Sequence, residues 1–109
     1  MAEERTSRPG PYADIAPALD DFTARVLFGE VWERPGLSKR DRSLVTVSAL
    51  VAGYRSNELP YHLMRAVENG LTKEELIEAI THLAFYAGWP AANTAISIAR
   101  DSDSTSTIW

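Results

Sequence analysis

Apolar positions in this chain recur mostly at three- and four-residue steps, the spacing of an amphipathic helix rather than the two-residue alternation of a strand. From about Asp14 to Phe28, the residues Ile15, Leu19, Phe22, Val26 and Leu27 form one such stripe, with Asp20, Asp21 and Arg25 on the other faces. This predicts a first helix. The segment from Gly29 comes next, and its Pro35-Gly36 pair forces a turn. Ser38 stands three residues before Asp41, resembling a capping box, so a second helix is expected from about Lys39 to Ala52. Leu44, Val45, Val47, Ala49, Leu50 and Val51 cover most of its circumference, which predicts burial on nearly all sides.

A third helix is expected from about Glu58 to Asn69, with Asn57 as its cap, Pro60 tolerated in the first turn and Gly70 closing it. Thr72 with Glu75 makes the clearest capping box, and the acid-rich Lys73-Glu74-Glu75 start suits the positive end of a helix dipole. The fourth helix therefore begins at about Lys73, carries Leu76, Ile77, Ile80, Leu83, Ala84 and Ala87 on one stripe, and ends at Gly88. Pro90 opens a fifth helix to about Arg100, where Ala91, Ala92, Ala95 and Ala99 permit close approach of a neighbour. Residues 1–12 lack periodicity and read as a flexible or partner-draped arm. Residues 102–109 read as a polar tail, with Trp109 at its end as an odd residue that could dock. The pattern predicts one all-α domain over residues 13–101.

Composition narrows the function classes. At 109 residues, with 45% apolar and 24% charged side chains, the chain has ordinary globular composition, but a domain this small leaves much apolar surface uncovered unless partner subunits cover it. The net charge of -4 offers no general attraction to nucleic acid or anionic lipid. The longest apolar-looking run, Leu44 to Gly53, is about half the roughly twenty residues a membrane span needs, and the first residues carry no apolar signal region. A cytoplasmic protein is expected. The absence of cysteine removes disulfides, thiolate nucleophiles and Cys-ligated zinc. With two histidines, His62 and His82, and no metal-ligand spacing or nucleotide-binding motif, neither a metal nor a cofactor is expected.

Several pieces in order, Trp32-x-Arg34-Pro35-Gly36-Leu37, Arg42-Ser43-Leu44, Glu58-Leu59-x-x-His62-Leu63, Asn69-Gly70-Leu71-Thr72 with Glu75, and Tyr86-Ala87-Gly88-Trp89-Pro90-Ala91-Ala92, resemble the gamma-carboxymuconolactone decarboxylase family. That family belongs to the wider alkyl hydroperoxidase D-like group. The resemblance implies an all-helical bundle around a central helical hairpin, assembled into homo-oligomers, trimers or hexamers, and in the decarboxylases a role in aromatic catabolism. In the peroxidase branch of the group a Cys-x-x-Cys pair precedes the family's histidine. Here that histidine matches His62 and the cysteine positions fall on Arg55 and Glu58, so a thiol peroxidase mechanism is excluded. The resemblance points to lyase chemistry instead.

Glu58, His62 and Arg65 stand at four- and three-residue steps and share one stripe of the third helix, with Arg55 just before it. A carboxylate beside an imidazole favours its charged form and suits it to acid-base work. A surface ion pair is the plainer use of Glu58 and His62. With the resemblance, the expected catalytic residues are His62 for proton transfer, Glu58 for orientation, and Arg55 for the substrate anion. Arg42 is a second candidate for the anion, because a guanidinium fork matches a carboxylate. His82 lies four residues after Glu78 and four before Tyr86. Trp32, Trp89 and Tyr86 could wall a pocket for a planar ring, with Glu30 entering from the loop, although core or interface packing is their commoner use. The leading expectation is a decarboxylase of a small carboxylated lactone or related oxo acid. An isomerase or lactone-opening enzyme on the same site, and a non-catalytic homo-oligomeric binding module, are the alternatives.

Overall fold

The computed structural model describes residues 10–105. Most of the N-terminal arm and the Trp109 end of the tail lie outside that range. All regular structure among the described residues is helical: α1 (Pro17–Asp21) running into a π-helix (Phe22–Val31), then α2 (Lys39–Ala52), α3 (Leu59–Glu68), α4 (Lys73–Ala87) and α5 (Trp89–Thr105). The chain falls into two compact units, one ending at Lys39 and one starting at Arg40.

In the first unit the helix does not run from Asp14. Pro17 holds its predecessor out of the helical region, Ala16 at φ -139°, so the chain turns from Pro11 to Ile15 before entering α1. The Gly10 N–H donates to Asp20 Oδ1 at 2.6 Å. The helical coil also passes Phe28, its expected end, and closes with i→i+5 bonds up to Trp32 N to Leu27 O at 3.0 Å. Apolar residues three and four apart stay neighbours whether a turn holds one residue more or less, so this spacing does not separate the two helix types. Ile15, Leu19, Phe22 and Leu27 are exposed, so the expected stripe is not a buried one.

The second unit holds the core. Val47 and Val51 of α2, Leu59, Leu63 and Ala66 of α3, Leu76, Ile80 and Ala84 of α4, and Ala92, Ala95 and Ala99 of α5 form one buried cluster with Leu71. Each helix contributes residues at three- or four-residue steps, one face per helix. The α4–α5 pair, joined at Gly88 with φ +100°, packs most extensively. The alanines of α5 bring its backbone close to α4 and α3. α2 is not surrounded as its composition suggested: Val45 is 61% exposed, and Ala49 and Ala52 are exposed too. Only the Ser43, Val47, Val51 face is covered within this unit, because a single neighbour layer covers a single face. α5 also continues to Thr105, past its expected end at about Arg100, since nothing in Asp101-Ser102-Asp103 breaks a helix. No helix among the described residues is long and apolar enough to cross a membrane.

Three helix boundaries fix where α2 stops, where α3 stops and where α4 starts. α3 ends in a Schellman cap, with Gly70 N bonded to Val67 O at 3.1 Å and Leu71 N to Ala66 O at 3.0 Å while Gly70 takes φ +111°. α2 ends the same way, with Tyr54 N bonded to Val51 O at 3.3 Å and Arg55 N to Leu50 O at 2.9 Å. Here the left-handed position is Tyr54, φ +58°, the one non-glycine with positive φ among the described residues. α4 opens with the full Thr72–Glu75 capping box. The buried Ser43 hydroxyl of α2 accepts from Asn69 Nδ2 at 2.9 Å, tying α2 to the end of α3. Ser43→Ala leaves that amide short of a partner, and we expect a loss of about 1–2 kcal/mol in denaturant unfolding. A variant as stable as the parent would mean that the bond contributes nothing to the fold.

Candidate functional site

Arg55, Glu58 and His62 lie on successive turns where α2 hands over to α3. The Schellman cap at Tyr54 sends the chain into a turn in which Glu58 N donates to Arg55 O at 3.3 Å and His62 N to Glu58 O at 3.4 Å. Glu58, not Asn57, is the N-cap residue of α3, and its side chain makes no capping bond. Asn57 lies inside the turn that leads into α3, in which Glu58 N bonds to Arg55 O and Leu59 N to Ser56 O at 3.4 Å. The Glu58 carboxylate is left at the surface.

Along α3 the buried stripe is Leu59, Leu63 and Ala66, and the stripe beside it carries Glu58, His62, Arg65 and Asn69. His62 sits at the edge of the core, half-buried, with the Tyr61 ring edge-on at 5.1 Å between centroids. Arg55 and Glu58 are exposed. Partial burial, reinforced by the Arg65 guanidinium, holds the imidazole below the ordinary histidine value, and the Glu58 carboxylate offsets only part of this. Glu58 does favour the charged form, as expected, but burial and Arg65 outweigh it and the net shift is downward. Arg65 is joined to Glu68 through Nη1 at 2.7 Å.

The other expected residues lie elsewhere. A cleft of about 440 Å³ runs between α2 and α4, walled by Arg40, Ser48, Glu75, Glu78 and His82 over an apolar floor that includes Leu44 and Leu83. The ring of His82 stacks on Tyr86 at 4.9 Å, and that of Trp89 meets Phe85 edge-on at 4.8 Å. Tyr86 and Trp89 are exposed, so they do not wall an enclosed pocket within this unit. In the cleft Arg40 is engaged by Glu75 and by Asp41. The Glu75 carboxyl is held below the usual carboxylate range chiefly by the Thr72 backbone N–H and further by Arg40. Glu78 and the engaged Arg40 make this a poor seat for an anion. Arg42 is half-buried on the first turn of α2. Trp32, buried and stacked on Phe28 at 6.4 Å, and Glu30, exposed, belong to the first unit.

The structure therefore sets Glu58 and Arg65 near enough to His62 to act on its proton, leaves Arg55 exposed in the turn before them, and sets His82 apart in a cleft of its own. Arg65 was visible in the sequence as the next member of the stripe. Arg40 was not, because its partner Glu75 is 35 residues away.

Residues 17–101 match the family model described as the carboxymuconolactone decarboxylase family. A 4-carboxymuconolactone decarboxylase of Acinetobacter baylyi is 46% identical over 88 residues, which are 81% of this chain and 66% of that protein. A nitrosuccinic acid decarboxylase of Metarhizium robertsii is 37% identical over 73 residues, 67% of this chain and 51% of the relative. An uncharacterized 15.0 kDa protein of Paracoccus denitrificans is 27% identical over 88 residues, 79% of this chain and 66% of its own length. The chain thus spans between half and two thirds of the length of these relatives.

The electrostatics of α3 give a direct test by NMR titration of the two histidine side chains. Removing the cation in Arg65→Gln should raise the His62 pKa toward the ordinary value, and Glu58→Gln should lower it further. A His62 resonance that titrates above the ordinary value in the parent protein would contradict this reading of the site.

Proposed function

Because this chain belongs to the carboxymuconolactone decarboxylase family, we propose that it is a cofactor-free decarboxylase acting on a small carboxylated lactone or related acid. By their names, two relatives decarboxylate a carboxylated lactone and a nitro-substituted succinic acid. Each of those compounds carries, besides carboxyl, an electron-accepting group, a lactone carbonyl or a nitro group. The observation that carries the reading is the setting of His62, half-buried with a carboxylate one turn before it and a guanidinium one turn after.

Loss of carbon dioxide breaks the bond between the substrate carbon and its carboxyl carbon. The electron pair stays on the substrate and spreads into the neighbouring acceptor. A proton must then reach carbon, so each turnover takes up one proton from solvent. His62 is the group proposed to deliver it. Burial and Arg65 disfavour its proton in the free protein, and the negative charge of a bound substrate favours it. The proton is thus loaded where and when an anion is present. Glu58 supports the imidazolium while it lasts, and Arg55 draws the anion to this end of α3. A departing carboxylate loses its charge, so cations help most when they hold the acceptor or another anionic group rather than the carboxylate that leaves.

Self-association, as a trimer or hexamer, belongs to the same proposal. Phe85 and Tyr86, 73% and 79% exposed, stand with Trp89 and Val45 among a set of large apolar side chains left uncovered on a small domain.

The test is carbon dioxide release from 4-carboxymuconolactone, nitrosuccinate and a panel of oxo acids, with the mass of each preparation measured by sedimentation. We expect release by the parent, a loss of about 100-fold or more in kcat for His62→Ala at unchanged assembly mass, and a smaller loss for Glu58→Gln. In the free enzyme the proton donor is the protonated form of His62, so kcat/KM should fall as pH rises through the lowered His62 pKa. The fall in kcat should lie at higher pH, because the bound anion favours the imidazolium. Release unaffected by His62→Ala would remove His62 from the chemistry. No release from any compound would remove the decarboxylase reading, and a monomeric mass would remove self-association.

A further inference from the structure

The cleft between α2 and α4 belongs neither to the core nor to the rim that carries His62. Arg40, Leu44 and Ser48 stand at four-residue steps on α2, one stripe round from the buried Ser43, Val47, Val51 face. Glu75, Glu78 and His82 line the cleft from α4, with Leu44, Leu71 and Leu83 supplying apolar surface between the walls. Its volume of about 440 Å³ falls in the range of small-molecule sites, and an apolar lining with a few polar groups is their usual make-up.

The charges on the walls are not equivalent. Arg40 of α2 is joined to Glu75 of α4, so an ion pair crosses the cleft at the first turns of both helices. Both members are committed, since Arg40 also meets Asp41 at 3.3 Å and Glu75 Oε1 accepts the Thr72 N–H at 2.9 Å. Glu78 stands one turn further along α4. Among the described residues its carboxylate has no hydrogen-bond or ion-pair partner, and neither has the Ser48 hydroxyl on the other wall. With Arg40 and Glu75 offsetting each other, Glu78 leaves an uncompensated negative charge beside an apolar floor.

We infer that this cleft binds a small organic ammonium ion, with the charged head at Glu78 and the apolar stem on Leu44, Leu71 and Leu83. An ammonium group carries three N–H donors and no acceptor. The Glu78 carboxylate and the Ser48 oxygen accept such donors, whereas an anionic head would meet Glu78 with Arg40 already engaged. Moving the stem from water onto leucine surface supplies affinity that an exposed ion pair alone does not. The Arg40–Glu75 pair limits the occupant: it closes one end of the cleft, so a short stem fits, while a partner helix laid along α2 and α4 would have to break it. This site stands apart from the decarboxylase reading, because no residue given a part in that chemistry lines the cleft.

The probe is hexylamine, with hexanol and hexanoate as its neutral and anionic counterparts, titrated into the full chain and followed by NMR at the two histidine rings. Hexylamine should move the His82 resonances and leave those of His62 in place. It should bind about two- to fivefold more tightly than hexanol, the range of an exposed ion pair, and hexanoate should bind more weakly than either. Glu78→Gln should bring hexylamine to the affinity of hexanol and leave hexanol unchanged. Raised salt should narrow the difference in the same way, and butylamine should bind more weakly than hexylamine because it covers less of the floor. Equal affinity for hexylamine and hexanol in the parent, a preference for hexylamine that survives Glu78→Gln, or shifts at His62 without shifts at His82 would each overturn the inference. Absence of binding by the parent would overturn it too, and a changed assembly mass in Glu78→Gln would then give the cleft to a second copy of the chain.

Discussion

Burial of Leu59, Leu63 and Ala66 along one stripe of α3 decides what every other side chain of that helix meets. With 3.6 residues per turn, the neighbouring stripe Glu58, His62, Arg65, Asn69 must lie at the rim of the core, neither inside it nor in open solvent. A histidine at such a rim is partly desolvated, so its protonation answers to charges brought near it. The Ser43–Asn69 bond and the two Schellman caps hold the helix in that rotation. Without them the stripe could turn either into the core, where its charges would be costly, or out to water, where His62 would behave as any surface imidazole.

The same constraint separates the two histidines. His82 stands on α4, stacked on Tyr86, over a cleft whose acids and already-engaged arginine suit an anion poorly. His62 stands between a carboxylate that favours its proton and a guanidinium that opposes it. A group balanced in this way is favoured toward its charged form by an arriving anion, the property on which the proposed proton transfer draws. Membership of the carboxymuconolactone decarboxylase family is what favours that proposed chemistry over a plain surface ion pair at His62.

Much of the second unit was legible in the sequence because its signals are local. Lys39 to Ala52 and Lys73 to Ala87 are the observed bounds of α2 and α4. Thr72, Glu75 and Gly70 act through neighbours a few residues away, so spacing alone reveals them. What was not legible depends on distant partners or on the count of residues per turn. The exposed face of α2 could not be read from composition, since apolar residues mark what can be buried and not what a given neighbour covers. Tyr54 in the left-handed region was hidden by Gly53 beside it, which offers a glycine one position too early for the cap. The π-helical turns keep the apolar spacing of an α-helix, so the pattern did not reveal them. At the site, Glu58, His62 and Arg65 were readable as one stripe, with Arg55 just before it. The sign of its effect on His62 was not, because burial enters only once Leu59, Leu63 and Ala66 are seen to face the core.

The central claim is that His62 hands a proton to the carbon that loses carbon dioxide. It is tested most directly by running the decarboxylation in deuterium oxide and locating the label in the product. The account predicts one deuterium at that carbon, on a single face, in the parent protein. In His62→Ala it predicts either no turnover or label on both faces, as expected when solvent protonates a released carbanion. Single-face labelling at the parent rate in His62→Ala would contradict it.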